Sequence, residues 1–136
     1  MQSLAAMPVV SVFYIGLNAL LLIIMAFYVV TQRWKHKVSI GDGGVPAMER
    51  AIRVHGNALE YVPLVLVMML ALELSGLSPF ELHVIGTGLT LGRLLHGWGL
   101  ALSSGKSPGR FVGTLITWLV FVYAAVLCLK VAFSHI

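Results

Sequence analysis

Four long apolar runs, separated by short segments rich in proline, glycine or charge, constrain this chain more than any other feature. They cover about residues 9–32, 46–74, 79–102 and 108–133. A helix of about 20 apolar residues crosses the hydrocarbon core of a bilayer. Because 59% of the residues are hydrophobic and only 10% are charged, the sequence predicts an all-α integral membrane four-helix bundle, with residues 1–136 forming a single domain.

Proline marks the beginning of the last three runs, at Pro46, Pro79 and Pro108. Proline is well tolerated in the first turn of a helix, where its missing N–H has no helical partner to lose. The first run lacks a basic lead-in and a clear small-residue cleavage site, and it is longer than the apolar core of a signal peptide. We therefore expect it to be a retained membrane span.

The distribution of charge predicts the orientation of the spans. Basic residues follow the first run and precede the fourth: Arg33, Lys35, Lys37, Lys106 and Arg110. The connection between the second and third runs has Glu73 and Glu81 but no lysine or arginine. By the positive-inside rule the two basic loops face the cytoplasm and both termini lie on the opposite side. The net charge of +4 therefore indicates orientation, and no nucleic-acid partner is expected.

The second run begins with a polar helical face. Arg53, Asn57 and Glu60 share this face with Glu49, and His55 projects the other way. Arg53 and Glu60 lie two turns apart with Asn57 between them, so the three side chains are expected to form a buried, satisfied network. Ionisable groups at membrane depth are retained where they face a bundle interior, a partner or a cavity. Such a network either fixes the helix register or binds a ligand, and the pattern alone allows both.

The third run adds cationic groups at the same end of the bundle. Arg93 and His96 lie one turn apart there, close in membrane depth to Arg53. Arginines and lysines outnumber carboxylates at this level, which leaves room for an anionic ligand. A basic fringe is also typical of any inner-membrane protein.

The remaining polar and small residues of the spans are expected to serve packing. Gly86, Gly88 and Gly92 permit close helix approach, and Asn18 is expected to hydrogen-bond a neighbouring helix. Cys128 is the only cysteine, so the sequence predicts neither a disulfide framework nor a metal site.

The motif ERAIRVHGNALEYVPL, residues 49–64, resembles the signature of the MAPEG family, the membrane-associated proteins of eicosanoid and glutathione metabolism. The shared frame is E-R-x-x-R-x-x-x-N-x-x-E-Y-x-P, carried here by Glu49, Arg50, Arg53, Asn57, Glu60, Tyr61 and Pro63. Four spans with basic first and third loops extend the resemblance over the whole chain. The GDGG loop at residues 41–44 is similar to that of bacterial members, which implies a bacterial inner (cytoplasmic) membrane.

This resemblance implies a homotrimer that uses glutathione as cosubstrate. Glutathione would bind at each subunit boundary near the cytoplasmic face, and a lipophilic small-molecule substrate would enter from the membrane lipid. His55, on the opposite face, would serve the site across the other interface. The glutathione-binding positions implied by the family are Arg33, Arg53, His55, Asn57, Glu60, Tyr61, Arg93 and His96.

Two positions bear on catalysis. Leu100 stands where the catalytic relatives carry a tyrosine, so one hydrogen bond to the ligand is missing. Those relatives also place an arginine just beyond the third helix, where its charge holds the glutathione sulfur as a thiolate. In the segment SSGKSPGR, Arg110 is the first candidate for this role and Lys106 the alternative.

The leading hypothesis is a glutathione-dependent transferase or peroxidase acting on lipophilic electrophiles. The alternative is a non-catalytic lipid-binding or scaffold protein, which the divergent Leu100 favours. A third interpretation is a small exporter in which Glu60 exchanges protons for a cationic drug. The neighbouring Arg53 argues against it, because a paired carboxylate has little reason to bind a cation.

Overall fold

The computed structural model describes residues 7–102 and 107–136. Within these ranges the chain forms helices α1 (Val9–His36), α2 (Pro46–Leu74), α3 (Pro79–Leu102) and α4 (Pro108–Phe133), and no strand. The all-α fold class is confirmed, and each of the four predicted runs is helical. Proline occupies the start of α2 and α4, as expected, and the Ser107 side chain caps α4 by accepting a hydrogen bond from the Arg110 N–H.

Helix α1 continues to His36, beyond its predicted end near residue 32. Arginine and lysine are good helix formers and need only the polar headgroup region around them, so the end of the apolar run does not end the helix. Lys37 ends it in the left-handed conformation, with φ of 56°, and its N–H donates to the Arg33 carbonyl.

Helices α2 and α3 are central: each packs against all three others, whereas no α1–α4 packing occurs among the described residues. Three described helices, α1, α2 and α4, are long and apolar enough to cross a membrane by their own composition. Helix α3 is not among these three, and it carries Thr90, Arg93 and His96. All three are buried against neighbouring helices.

Glycines bring α3 and α4 into close contact. A Cβ atom added at Gly92 would lie 2.7 Å from Thr117 Oγ1, and one at Gly88 would lie 2.6 Å from Val120 Cγ2. Gly86 lies against the Tyr14 ring of α1 in the same way. The packing role expected for these glycines is confirmed, and the close approach places polar groups of α4 within reach of α3.

Helix α1 is attached to the central pair at two levels. The Glu73 carboxylate, in the last turn of α2, accepts hydrogen bonds from the Val10 and Ser11 N–H groups at 3.0 and 2.6 Å. These are first-turn donors, which have no carbonyl partner within their own helix. Deeper in the bundle, Asn18 Nδ2 donates to Thr90 Oγ1 of α3 at 3.0 Å, which confirms the role expected for Asn18.

Gly113→Ala is expected to destabilise the protein, because the new Cβ would collide with backbone atoms of His96 and Gly92 in α3. The thermal unfolding midpoint in mild detergent should fall by at least about 5 °C. Gly16→Ala is the matched control, since a Cβ there meets nothing within 4 Å. Equal midpoints for the two variants would contradict close α3–α4 packing.

Candidate functional site

A buried arginine of α3 organises the polar residues at the end of the bundle where the basic loops lie. Arg93 is 1% exposed. It donates from Nε and Nη2 to Thr117 Oγ1 at 3.0 and 2.7 Å, and from Nη2 to the Gly113 carbonyl at 3.3 Å. Its Nη1 donates to Asn57 Oδ1 of α2 at 2.6 Å. The guanidinium therefore joins α2, α3 and α4 at one point.

The network continues from Asn57 to a carboxylate on the same helix. Asn57 Nδ2 donates to Glu60 Oε2 at 3.1 Å, and Glu60 Oε1 lies 3.9 Å from Arg53 Nη1. The side chains of Arg53 and Glu60 are 58% and 51% exposed. The expectation that the Arg53–Asn57–Glu60 network is buried is therefore wrong: Arg53 and Glu60 both lie at the open edge, and the buried cation is Arg93.

Tyr61 closes the other side of the guanidinium. Its ring centroid lies 5.5 Å from Arg93 Cζ, which is within the range of a cation–π contact. The Tyr61 hydroxyl accepts a hydrogen bond from Trp118 Nε1 of α4 at 3.1 Å. The aromatic ring and the Asn57 amide thus hold Arg93 from two directions.

A polar cleft of about 230 Å³ opens beside this network. Its walls come from α2, α3 and α4: Glu49, Arg50, Arg53, Asn57, His96, Leu100 and Arg110. Three of these residues are arginines and one is a carboxylate, so the cleft carries a net positive charge and suits an anionic ligand. Leu100 is 6% exposed and contributes an apolar side chain to the wall of the cleft.

An apolar groove of about 770 Å³ lies at the beginning of α4. It is lined by Ser107, Pro108, Arg110, Phe111 and Thr114. Arg110 therefore borders both the polar cleft and the apolar groove. A ligand charge at Arg110 would face an apolar molecule in the groove.

Comparison with known proteins identifies the family. The sequence model of the MAPEG family matches residues 11–130. The chain belongs to the MAPEG family. It is similar to the inner membrane protein YecN of Escherichia coli strain K12 and to the YecN of Escherichia coli O6:H1 strain CFT073. Each is 44% identical over 90 residues, which is 66% of this chain and 69% of the relative.

The family match confirms the resemblance drawn from residues 49–64. The apolar helices and the inner-membrane relatives support a multi-pass protein of the inner membrane. Among the residues predicted for the site of this MAPEG protein, the structure brings Arg53, Asn57, His96 and Arg110 together around the cleft. Glu60, Tyr61 and Arg93 adjoin it through the hydrogen-bond network and the Arg93–Tyr61 contact.

Two predicted positions lie apart from the cleft within this single chain. Arg33 donates to the Gly41 carbonyl at 3.0 Å and lines a separate cleft with Trp34 and Lys37. His55 is half-buried and does not line the polar cleft. Lys106, the alternative catalytic candidate, lies outside the described residues.

Three residues of α4 were not predicted for the site: Gly113, Thr117 and Trp118. Gly113 and Thr117 are four residues apart, the spacing shared by Gly88 and Gly92. Small residues at this spacing indicate a close helix contact, and this signal alone would have directed attention to α4. The indole N–H of Trp118 gives no comparable pattern in sequence.

Arg93→Ala is expected to cost about 2 kcal/mol or more of unfolding free energy, because it leaves Asn57 and Thr117 without their buried donor and opens a cavity. Arg53→Ala should change it by less than about 0.5 kcal/mol, since this side chain is 58% exposed and its ion pair is long. Reversible unfolding in mild detergent measures both. A larger loss for Arg53→Ala would reverse the assignment of the buried cation.

Proposed function

We propose that this MAPEG protein is a glutathione-dependent transferase or peroxidase that acts on lipophilic electrophiles. The observation that carries the proposal is the adjacency of a cationic cleft and an apolar groove, with Arg110 on the wall of both. A glutathione-dependent enzyme of this kind needs one compartment for a charged tripeptide and one for an apolar substrate, with the sulfur at their boundary.

The groups of the cleft match the chemistry of glutathione. The tripeptide has two carboxylates, one ammonium group and one thiol. Arg50 and Arg53 offer guanidinium donors for carboxylates, and charge-assisted hydrogen bonds of this kind are the strongest available. Glu49 in the cleft wall and Glu60 beside it offer acceptors for the ammonium group. Asn57 and His96 supply polar contacts between the charged ends.

Arg110 is the residue we assign to thiol activation. A cation near the sulfur stabilises the thiolate, which is the nucleophilic form. With an aryl halide in the groove, the thiol proton leaves to solvent, the thiolate forms a carbon–sulfur bond, and the halide departs with the bonding electron pair. The guanidinium supplies charge and position and is itself unchanged.

The proposal includes a homotrimer. Arg53 and Glu60 lie in a membrane-spanning helix with their side chains 58% and 51% exposed in the single chain. Exposure of ionised groups to lipid is costly, so a second copy covering this face would lower the free energy. In that assembly His55 and Arg33, which lie outside the cleft of their own chain, would contribute to a neighbouring site. In this proposal the basic first and third loops face the cytoplasm, so the site lies near the cytoplasmic face and both termini lie on the opposite side.

A non-catalytic lipid-binding or scaffold protein is the second candidate function. One observation favours it: Leu100, buried in the cleft wall, offers no hydroxyl where the catalytic relatives have a tyrosine. Ultraviolet difference absorbance near 240 nm separates the candidates, because an enzyme of this type should generate a thiolate signal when glutathione is added and a scaffold should not.

Glutathione should bind the detergent-purified protein, and Arg53→Ala should weaken its affinity by about 2 kcal/mol through loss of a charge-assisted contact. Isothermal titration calorimetry measures both. Native mass spectrometry of the same samples should show trimers for the wild type and the variant, which separates a lost contact from lost assembly. Unchanged affinity in an intact trimer would mean that the Arg53 face is structural.

Arg110→Ala should leave glutathione binding nearly intact but move the rise of kcat/KM to higher pH, toward the free thiol pKa of about 8.5. The sign follows because a cation lowers the thiol pKa, so its removal leaves less thiolate at neutral pH. A pH–rate profile with an aryl halide measures the change. Lys106→Ala is the control and should be close to neutral; the opposite pattern would move the role to Lys106.

A further inference from the structure

The hydrogen-bond chain from α4 to Glu60 has only one possible direction, and Arg93 fixes it. A guanidinium has donors and no acceptor. Asn57 must therefore present Oδ1 to Arg93, at 2.6 Å, which turns its Nδ2 toward Glu60, at 3.1 Å. A flipped amide would place N–H against N–H at one end and oxygen against carboxylate at the other.

Thr117 holds the other end of this chain. Its side chain is 0% exposed, and its hydroxyl donates to the Gly113 carbonyl at 2.8 Å. Because the hydroxyl proton is used there, its lone pairs accept the two Arg93 bonds at 3.0 and 2.7 Å. The hydrogen bonds that link Gly113, Thr117, Arg93, Asn57 and Glu60 then have one consistent assignment of donors and acceptors.

We infer that Thr117 is a positioning residue for the glutathione site proposed above, on which this inference rests. Thr117 itself does not line the cleft. Thr117, from α4, fixes the orientation of the Arg93 guanidinium. Arg93 in turn orients the Asn57 amide, and the amide orients the Glu60 carboxylate. The ligand thus meets an amide and a carboxylate that are already held in one orientation, which reduces the entropy lost on binding.

Thr117→Val tests this because valine keeps nearly the same shape and removes the hydroxyl. The dissociation constant for glutathione should rise about tenfold, and Thr117→Ser, which keeps the hydroxyl, should restore it to near the wild-type value. Thr117→Ala serves the same comparison if the valine variant does not fold. Equal affinities of the wild type and the hydroxyl-free variant would overturn the inference.

Thr90→Val is the matched control. Thr90 lies in α3 and, like Thr117, is buried, with 9% of its surface exposed. Its hydroxyl also donates to the carbonyl of the residue four positions earlier, as the Thr117 hydroxyl does. It pairs with Asn18 in the α1–α3 contact, away from the cleft. The control should lower thermal stability and leave glutathione affinity unchanged. If Thr90→Val lost as much glutathione affinity as Thr117→Val, the Thr117 effect would be explained by general destabilisation.

A double-mutant cycle separates positioning from general packing. In an Asn57→Ala background the chain is already cut, so adding Thr117→Val should change the dissociation constant by less than about twofold. A full additional loss of about tenfold would mean that Thr117 acts independently of Asn57 and would overturn the assigned route.

Side-chain amide NMR of the ligand-free protein makes the result independent of glutathione. The Asn57 Nδ2 resonance, assigned by its loss in Asn57→Ala, should move in Thr117→Val and stay in place in Thr90→Val. If it moves while the wild type fails to bind glutathione, the proposed function falls and the positioning chain stands. If glutathione binds the wild type and the resonance does not move, the positioning role falls and the proposed function stands.

Discussion

A guanidinium enclosed by membrane-spanning helices needs hydrogen-bond acceptors around it, and this requirement organises the end of the bundle where the basic loops lie. Arg93 meets it with a hydroxyl and a carbonyl from α4, an amide oxygen from α2 and an aromatic ring behind them. The hydroxyl is within reach only because Gly92 lets α4 approach α3 closely. The polar network around Arg93 therefore depends on the close helix contact at Gly92.

Polarity is distributed among the helices according to their neighbours. Helices α1 and α4 present large apolar side chains outward, as Phe27 and Leu119 illustrate, each 63% exposed. Helix α3 packs against all three others and buries Thr90, Arg93 and His96. In lipid, where water cannot satisfy a polar group, such side chains depend on neighbouring helices for hydrogen-bond partners. The buried Thr90 and Arg93 find theirs on α1, α2 and α4.

Helix bounds could be predicted closely from the apolar runs and their prolines, because span length is set by bilayer thickness and helix geometry. The end of α1 was missed, since hydropathy marks the edge of the hydrocarbon and not the end of the helix. The family motif located Asn57 and Glu60. It could not say which arginine is buried, because one helix's periodicity does not reveal which faces its neighbours cover. Thr117 lacks any charge or motif, so its role emerges only from the packing of α4.

Helix α4 has two faces with different constraints. Gly113, Thr117 and Ala124 are buried against the bundle. A Cβ at Gly113 would meet the backbone of α3, and loss of the Thr117 hydroxyl would remove an acceptor from Arg93. Phe111 and Leu115, 69% and 44% exposed, lie on the outward side, and Phe111 lines the apolar groove. Substitutions there leave the buried arginine undisturbed. Evolutionary drift on this outward face can therefore reshape the apolar groove while the buried polar framework stays unchanged.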